Sequence, residues 1–251
     1  MLEHTFQTPH PASLEVSIPS GEIAVETDGT DETHVSVDGD ERVLEHVEVH
    51  CNGDRVSVKL RDKGRFGFSL GSFFGDGGLR VEVRAPHGSS VRVKTASADT
   101  ELDGHFGPLG INSVSGDVSL RGESVGNASI KTVSGDADLD RVDGDISAHT
   151  VSGDVRIGPV AGSADLKTVS GDIALQTVTA GDVRFTSVSG DIEIGIAQGS
   201  ALDVDAGSTS GDLSSEVPLA SEPVHGEGEA GPIVVLRGRT VSGDVKVFRA
   251  V

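Results

Sequence analysis

Lys131–Leu139 reads KTVSGDADL, His149–Ile157 reads HTVSGDVRI and Lys167–Leu175 reads KTVSGDIAL, so one phrase returns every 18 residues. Outward from these three, eight copies are found. They are TASAD from Thr95, SVSGD from Ser113, TVSGD from Thr132, Thr150 and Thr168, SVSGD from Ser187, STSGD from Ser208 and TVSGD from Thr240. Successive starts lie 18, 19, 18, 18, 19, 21 and 32 residues apart. Ser and Asp stand in every copy, and Gly in all but the first, where Ala98 replaces it. A second glycine mark falls halfway, at Gly126, Gly144, Gly162, Gly181 and Gly199.

After each triplet the chain alternates apolar and polar, as in Val155-Arg156-Ile157, Ile173-Ala174-Leu175 and Ile192-Glu193-Ile194. It does so again after the halfway glycine, as in Ile146-Ser147-Ala148, Ala164-Asp165-Leu166 and Val183-Arg184-Phe185. Period-two alternation marks strands with one buried face. Two strands and two corners per repeat predict an all-β parallel β-solenoid with coils of about 18 residues, stacked about 4.8 Å apart. A single coil buries too little to offset its own ordering, so stacking is what lets the repeat fold.

The boundaries follow from where the repeat holds. Residues 1–14 are expected to be a flexible N-terminus. Residues 15–93 show strand signals without the strict repeat and are expected to form an N-terminal β-sheet cap that protects an open strand edge. Residues 94–215 form the solenoid, and 216–238 form an acidic excursion bearing Gly and Pro. Residues 239–251 are expected to close the far end.

Composition narrows the function. The chain has 251 residues, 40 acidic against 20 basic, and a formal charge of −20. Such a surface repels phosphates, so nucleic acid is not an expected partner and any membrane association is indirect. With 24 Asp, 14 Arg and only 6 Lys, the acidity reads as adaptation to molar salt, where self-repulsion is screened. Cys51 is the one cysteine, which rules out an intramolecular disulfide. The opening MLEHTFQTPHPASLEV shows neither a basic start nor a signal-length apolar core, and no apolar run nears the roughly 20 residues that span a bilayer. A cytoplasmic location, peripheral at the inner face of the membrane, is the expectation.

The triplets Ser115-Gly116-Asp117, Ser134-Gly135-Asp136, Ser152-Gly153-Asp154, Ser170-Gly171-Asp172, Ser189-Gly190-Asp191, Ser210-Gly211-Asp212 and Ser242-Gly243-Asp244 read as structural corners. Gly is expected to supply φ > 0, and Ser and Asp to bond nearby amides. Two functional readings compete. A calcium-dependent β-helix would use the Asp column, but the nonapeptide pattern of calcium-binding β-rolls is missing. A carbohydrate-active module would need two carboxylates in unlike environments, whereas these repeat alike, and the chain has no Trp or Tyr platform. His46, His50 and Cys51 do not share one face of a strand. No catalytic constellation, metal site or cofactor is expected.

One stretch breaks the polar pattern. Phe66, Phe68, Phe73 and Phe74 fall within nine residues of the loop from Gly64 to Gly78, as either a cover for the core end or a docking tip for a partner.

The repeated TVSGDV, with VEVRAPHGSSVRVKTASADTEL from Val81, resembles the family labelled putative adhesin, domain of unknown function 4097. The resemblance covers roughly residues 15–251 and implies a right-handed β-helix, adhesion, and company with envelope-stress or membrane-associated proteins. It carries no catalytic residues. The combined expectation is a non-enzymatic scaffold with a protein partner, open to self-association. An exported cell-surface adhesin is the further alternative.

Overall fold

The computed structural model describes residues 1–61, 78–217 and 231–250. The Phe66, Phe68, Phe73 and Phe74 loop, and most of the acidic excursion, lie outside the described residues. The chain divides into two compact units, Met1–Val125 and Gly126–Val251.

In the second unit the chain alternates between two parallel sheets, one strand of each per coil. The first sheet holds, in spatial order, Ala137–Leu139, Val155–Val160, Ile173–Val178, Ile192–Ile196, Val245–Arg249 and Leu213–Ser215. The other holds Ala128–Lys131, Ile146–His149, Ala164–Lys167, Gly181–Thr186, Ile233–Thr240 and Ala201–Ser208. Equivalent residues align at the start of each strand, Val155 facing Ile173, Ile173 facing Ile192 and Ile192 facing Val245, and the register shifts once, between Leu175 and Val178 against Ile192–Ile196. One face of every repeat therefore becomes a continuous aliphatic column, with Ile157, Ile173, Leu175, Ile192 and Ile194 buried. The solenoid class predicted from the 18-residue interval is the observed fold.

Size is matched across coils as well as polarity. Buried Phe185 lies in register with Gly238, and a Cβ on Gly238 would come within 2.4 Å of the Phe185 ring. The glycine makes the room that the ring occupies.

The far end departs from expectation. Val245–Arg249 does not close it, because that strand is paired on both sides, with Ile192–Ile196 and with Leu213–Ser215. Ile233–Thr240 is likewise inserted between Gly181–Thr186 and Ala201–Ser208. The last coil in sequence is thus the penultimate coil in space. The 32-residue gap between the last two copies gives the chain enough length to step past the terminal coil and return inside it.

In the first unit, one sheet runs Leu2–Gln7, Glu32–Asp38, Leu79–Pro86, Ser20–Asp28, Ser97–Phe106, Val118–Val125. The other runs Val47–Asn52, Arg55–Leu60, Ser13–Ser17, Ser90–Lys94, Leu109–Asn112. Antiparallel pairing is confined to the outer strands, and the inner ones are parallel like the repeats. Where a flexible lead-in was expected, Leu2–Gln7 pairs along its whole length with Glu32–Asp38. Within 15–93, Ser13–Ser17 and Ser20–Asp28 are themselves coil strands, lying between later segments of the chain.

Candidate functional site

The corner of each coil is the most repeated chemical object in the molecule, and its second-unit form shows how it is built. Thr150 is buried; its Oγ1 accepts from the Gly153 N–H at 3.0 Å and donates to the Gly153 carbonyl at 2.9 Å. Thr168 and Ser187 donate in the same way to Gly171 and Gly190. This closes each turn internally. The remaining two side chains reach to the neighbouring coils, Ser152 to the coil before it and Asp154 to the coil after it.

Ser152 Oγ donates to the Val133 carbonyl at 3.2 Å, and Ser170, Ser189 and Ser242 do the same to Val151, Val169 and Val188. Ser210 bonds Val241, and in the first unit Ser115 bonds Ala96. Asp136 Oδ1 accepts from the Asp154 N–H at 2.8 Å, Asp154 from Asp172 at 3.0 Å, and Asp172 from Asp191 at 2.8 Å. Asp191 accepts from Asp244, and Asp244 from Asp212, each at 2.8 Å. Asp99 accepts from Asp117 at 3.0 Å in the first unit. One oxygen of each of these acceptor carboxylates is thus spent on a charge-assisted bond to a backbone amide, which offsets the cost of stacking like charges. The Gly135 N–H donates to Thr132 Oγ1 at 3.1 Å.

The glycine has a different cause from the one expected. None of Gly116, Gly135, Gly153, Gly171, Gly190, Gly211 and Gly243 has positive φ. Instead, a Cβ on Gly116, Gly153, Gly171, Gly190, Gly211 or Gly243 would sit 2.0–2.2 Å from a carbonyl oxygen of the neighbouring coil. Close approach of backbones excludes a side chain.

A second ladder runs at the halfway corner and was missed in the sequence. Asn127 Oδ1 accepts from the Asp145 N–H at 2.9 Å, Asp145 Oδ1 from Ser163 at 2.8 Å, and Ser163 Oγ from Asp182 at 3.3 Å. Its signal was legible: the residue after each halfway glycine is Asn127, Asp145, Ser163, Asp182 or Ser200, always a short acceptor.

Also missed was the valine inside TVSGD. Val114, Val133, Val151, Val169, Val188 and Val241 are 43–50% exposed, in contrast to the buried Thr before them. The corner therefore carries an apolar row on its outer edge.

On the sheet face just before this corner, His149 Nε2 lies 3.2 Å from Asp165 Oδ2, 3.4 Å from Ser147 Oγ and 3.4 Å from Lys167 Nζ. Lys167 also bonds Asp165 at 2.8 Å. All three contacts converge on one ring nitrogen, so Ser, His and Asp are not strung through opposite nitrogens as a proton relay requires. Desolvation pushes the Asp165 carboxyl up, but hydrogen bonds and charge from Lys167 and His149 outweigh it and hold it below its ordinary value.

In the first unit an open groove of about 660 Å³ crosses one sheet where the small side chains Ala24, Ser36 and Ser119 lie in the rows of Glu82 and Glu101. Its charges are partly matched, with Arg84 bonded to Glu26 at 2.9 Å. Among the described residues, no group of three or more His, Cys, Asp or Glu is placed to hold a metal ion. His46 bonds the Arg42 carbonyl, His50 faces Glu48, and Cys51 bonds the Gly53 carbonyl, so these three turn to separate partners.

The sequence pattern of the Toastrack DUF4097 family matches residues 12–248. The chain belongs to the Toastrack DUF4097 family. Solved structures of the same fold include a "putative lipid binding protein" from Parabacteroides distasonis, at 14% identity and TM-score 0.61, covering 98% of this chain and 96% of that one. A "putative adhesin" from Parabacteroides merdae aligns at 14% identity and TM-score 0.58, over 98% and 95% of the two chains. A second "putative adhesin", from Parabacteroides distasonis, aligns at 14% identity and TM-score 0.54, over 98% and 97%. No curated protein matches the chain. Toastrack membership agrees with the resemblance carried by TVSGDV, and at 14% identity these structures establish the fold only.

Proposed function

We propose that this Toastrack chain is a non-enzymatic interaction scaffold, working in high salt at the inner face of the cell envelope and presenting its repeated surface to a protein partner. The observation that carries this reading is the division of labour in the corner. Ser, Gly and Asp are committed to the packing of one coil on the next, and Thr to closing its own turn. What remains outward is an array of like side chains in exact register, such as Lys131, His149 and Lys167 on one sheet face. Such an array suits multi-point, shallow recognition by a protein surface. Two solved structures of the fold, each named a "putative adhesin", agree with this. The excess of 40 acidic over 20 basic residues agrees with work in molar salt.

Cells lysed and fractionated in molar KCl provide the test. The chain is expected in the envelope fraction, cross-linked to a partner protein with which the purified chain re-forms a complex. Recovery only as a free protein, with no partner that can be reconstituted, overturns the scaffold reading.

A further inference from the structure

The outward valine row of the second unit is flanked on one side by a basic row, interrupted at Thr186, and on the other by carboxylates, with the same spacing in each coil. Lys131, His149, Lys167, Thr186 and Arg239 form one in-register row on the sheet face. Two residues further along each coil stand Val133, Val151, Val169, Val188 and Val241, all 43–50% exposed. Three residues beyond these stand Asp136, Asp154, Asp172, Asp191 and Asp244. The pattern across the corner is thus basic side chain, valine, carboxylate in every coil but that of Thr186, repeated at about 4.8 Å along the stack.

We propose that this corner is where a second copy of the chain docks, the two copies lying side by side with their coils running the same way. Charge decides both the partner and its orientation. A twofold axis parallel to the stack sets valine on valine. It also carries the Lys131, His149, Lys167 and Arg239 row of each copy over the Asp136, Asp154, Asp172 and Asp244 row of the other. A twofold axis across the stack would set cations on cations and carboxylates on carboxylates. Because both surfaces belong to the same chain, their intervals match at every coil, and the contact is isologous and closed. Lys167 and Arg239 already touch Asp165 and Asp205 of their own chain, but these are exposed pairs that bind weakly and can be shared. At −20 per chain, two copies repel at long range in dilute salt. Molar salt shortens that repulsion to about 3 Å while leaving apolar burial intact, so the dimer strengthens with salt.

The full chain carrying Cys51→Ser is examined by sedimentation equilibrium in low and in molar KCl. A dimer is expected in molar KCl. A Val133→Ser/Val151→Ser/Val169→Ser variant should melt as the parent does and dimerise about tenfold or more weakly, as removal of a central apolar contact requires. Asp154→Asn/Asp172→Asn/Asp244→Asn keeps the ladder acceptors and removes only charge, and it too should weaken the dimer. In the otherwise unaltered surface, Val133→Cys should oxidise to a disulfide-linked dimer. A parallel arrangement places residue 133 opposite itself, whereas an antiparallel one places it opposite 241 and allows self-linking only near Val169→Cys. A monomer at every salt concentration, a dimer indifferent to the Ser or Asn variants, or linking by Val169→Cys without Val133→Cys each overturns the proposal.

Discussion

At the residue scale the Ser-Gly-Asp corner is a set of solutions to one problem, the approach of two backbones. The Gly171 position would bring a Cβ to 2.1 Å from the Gly153 carbonyl oxygen. Gly171→Ala is therefore expected to cost about 3 kcal/mol, as overpacking against backbone does. Gly110→Ala, where a Cβ meets nothing within 4 Å, should be close to neutral. At the neighbouring position, Asp172→Ala should lose about 1 kcal/mol of a charge-assisted but exposed bond, while Asp172→Asn keeps its acceptor and most of the stability. Urea unfolding of the four variants checks the order. The triplet itself was legible. The reason for glycine was not, because φ > 0 and close approach leave the same letter in the sequence.

At the scale of the element, each strand's inner face follows the alternation read from Val155-Arg156-Ile157 and its equivalents, since burial selects every second residue. The outer face follows cross-strand pairing, which alternation does not reveal. Asp165 shows the consequence. It pairs in register with Ser147 and sits against His149 and Lys167, which hold its carboxyl below the ordinary value of 3.8. A depressed folded value stabilises the protein above pH 3.8 and loses that contribution as pH falls through the folded value. The group is 41% exposed, so solvent screening keeps the contribution below about 0.5 kcal/mol. Stability measured below about pH 4 should accordingly fall more steeply for the parent than for Asp165→Asn, and parallel curves would remove the pair from the account.

For the whole molecule, charge sets the conditions of stability. Forty acidic residues against 20 basic ones repel one another in the folded state, and the Asp ladder concentrates part of that repulsion at one corner. Melting temperature is expected to rise by several degrees from dilute to molar KCl, as screening relieves about 1–2 kcal/mol of self-repulsion. A melting temperature independent of salt would leave the acidity without a stabilising role in salt. The sequence by itself determined the parallel solenoid, its 18-residue coil, its inward residues and its corners, because a repeat must satisfy the same local geometry on every turn. Only the tertiary structure decided that residues 233–249 lie inside residues 201–215, and that Ser13–Asp28 lies between later strands. Every coil offers its neighbours nearly the same backbone edge and the same aliphatic column. The repeat therefore specifies that coils stack, and the long connections, together with local fits such as Phe185 beside Gly238, specify the order in which they do.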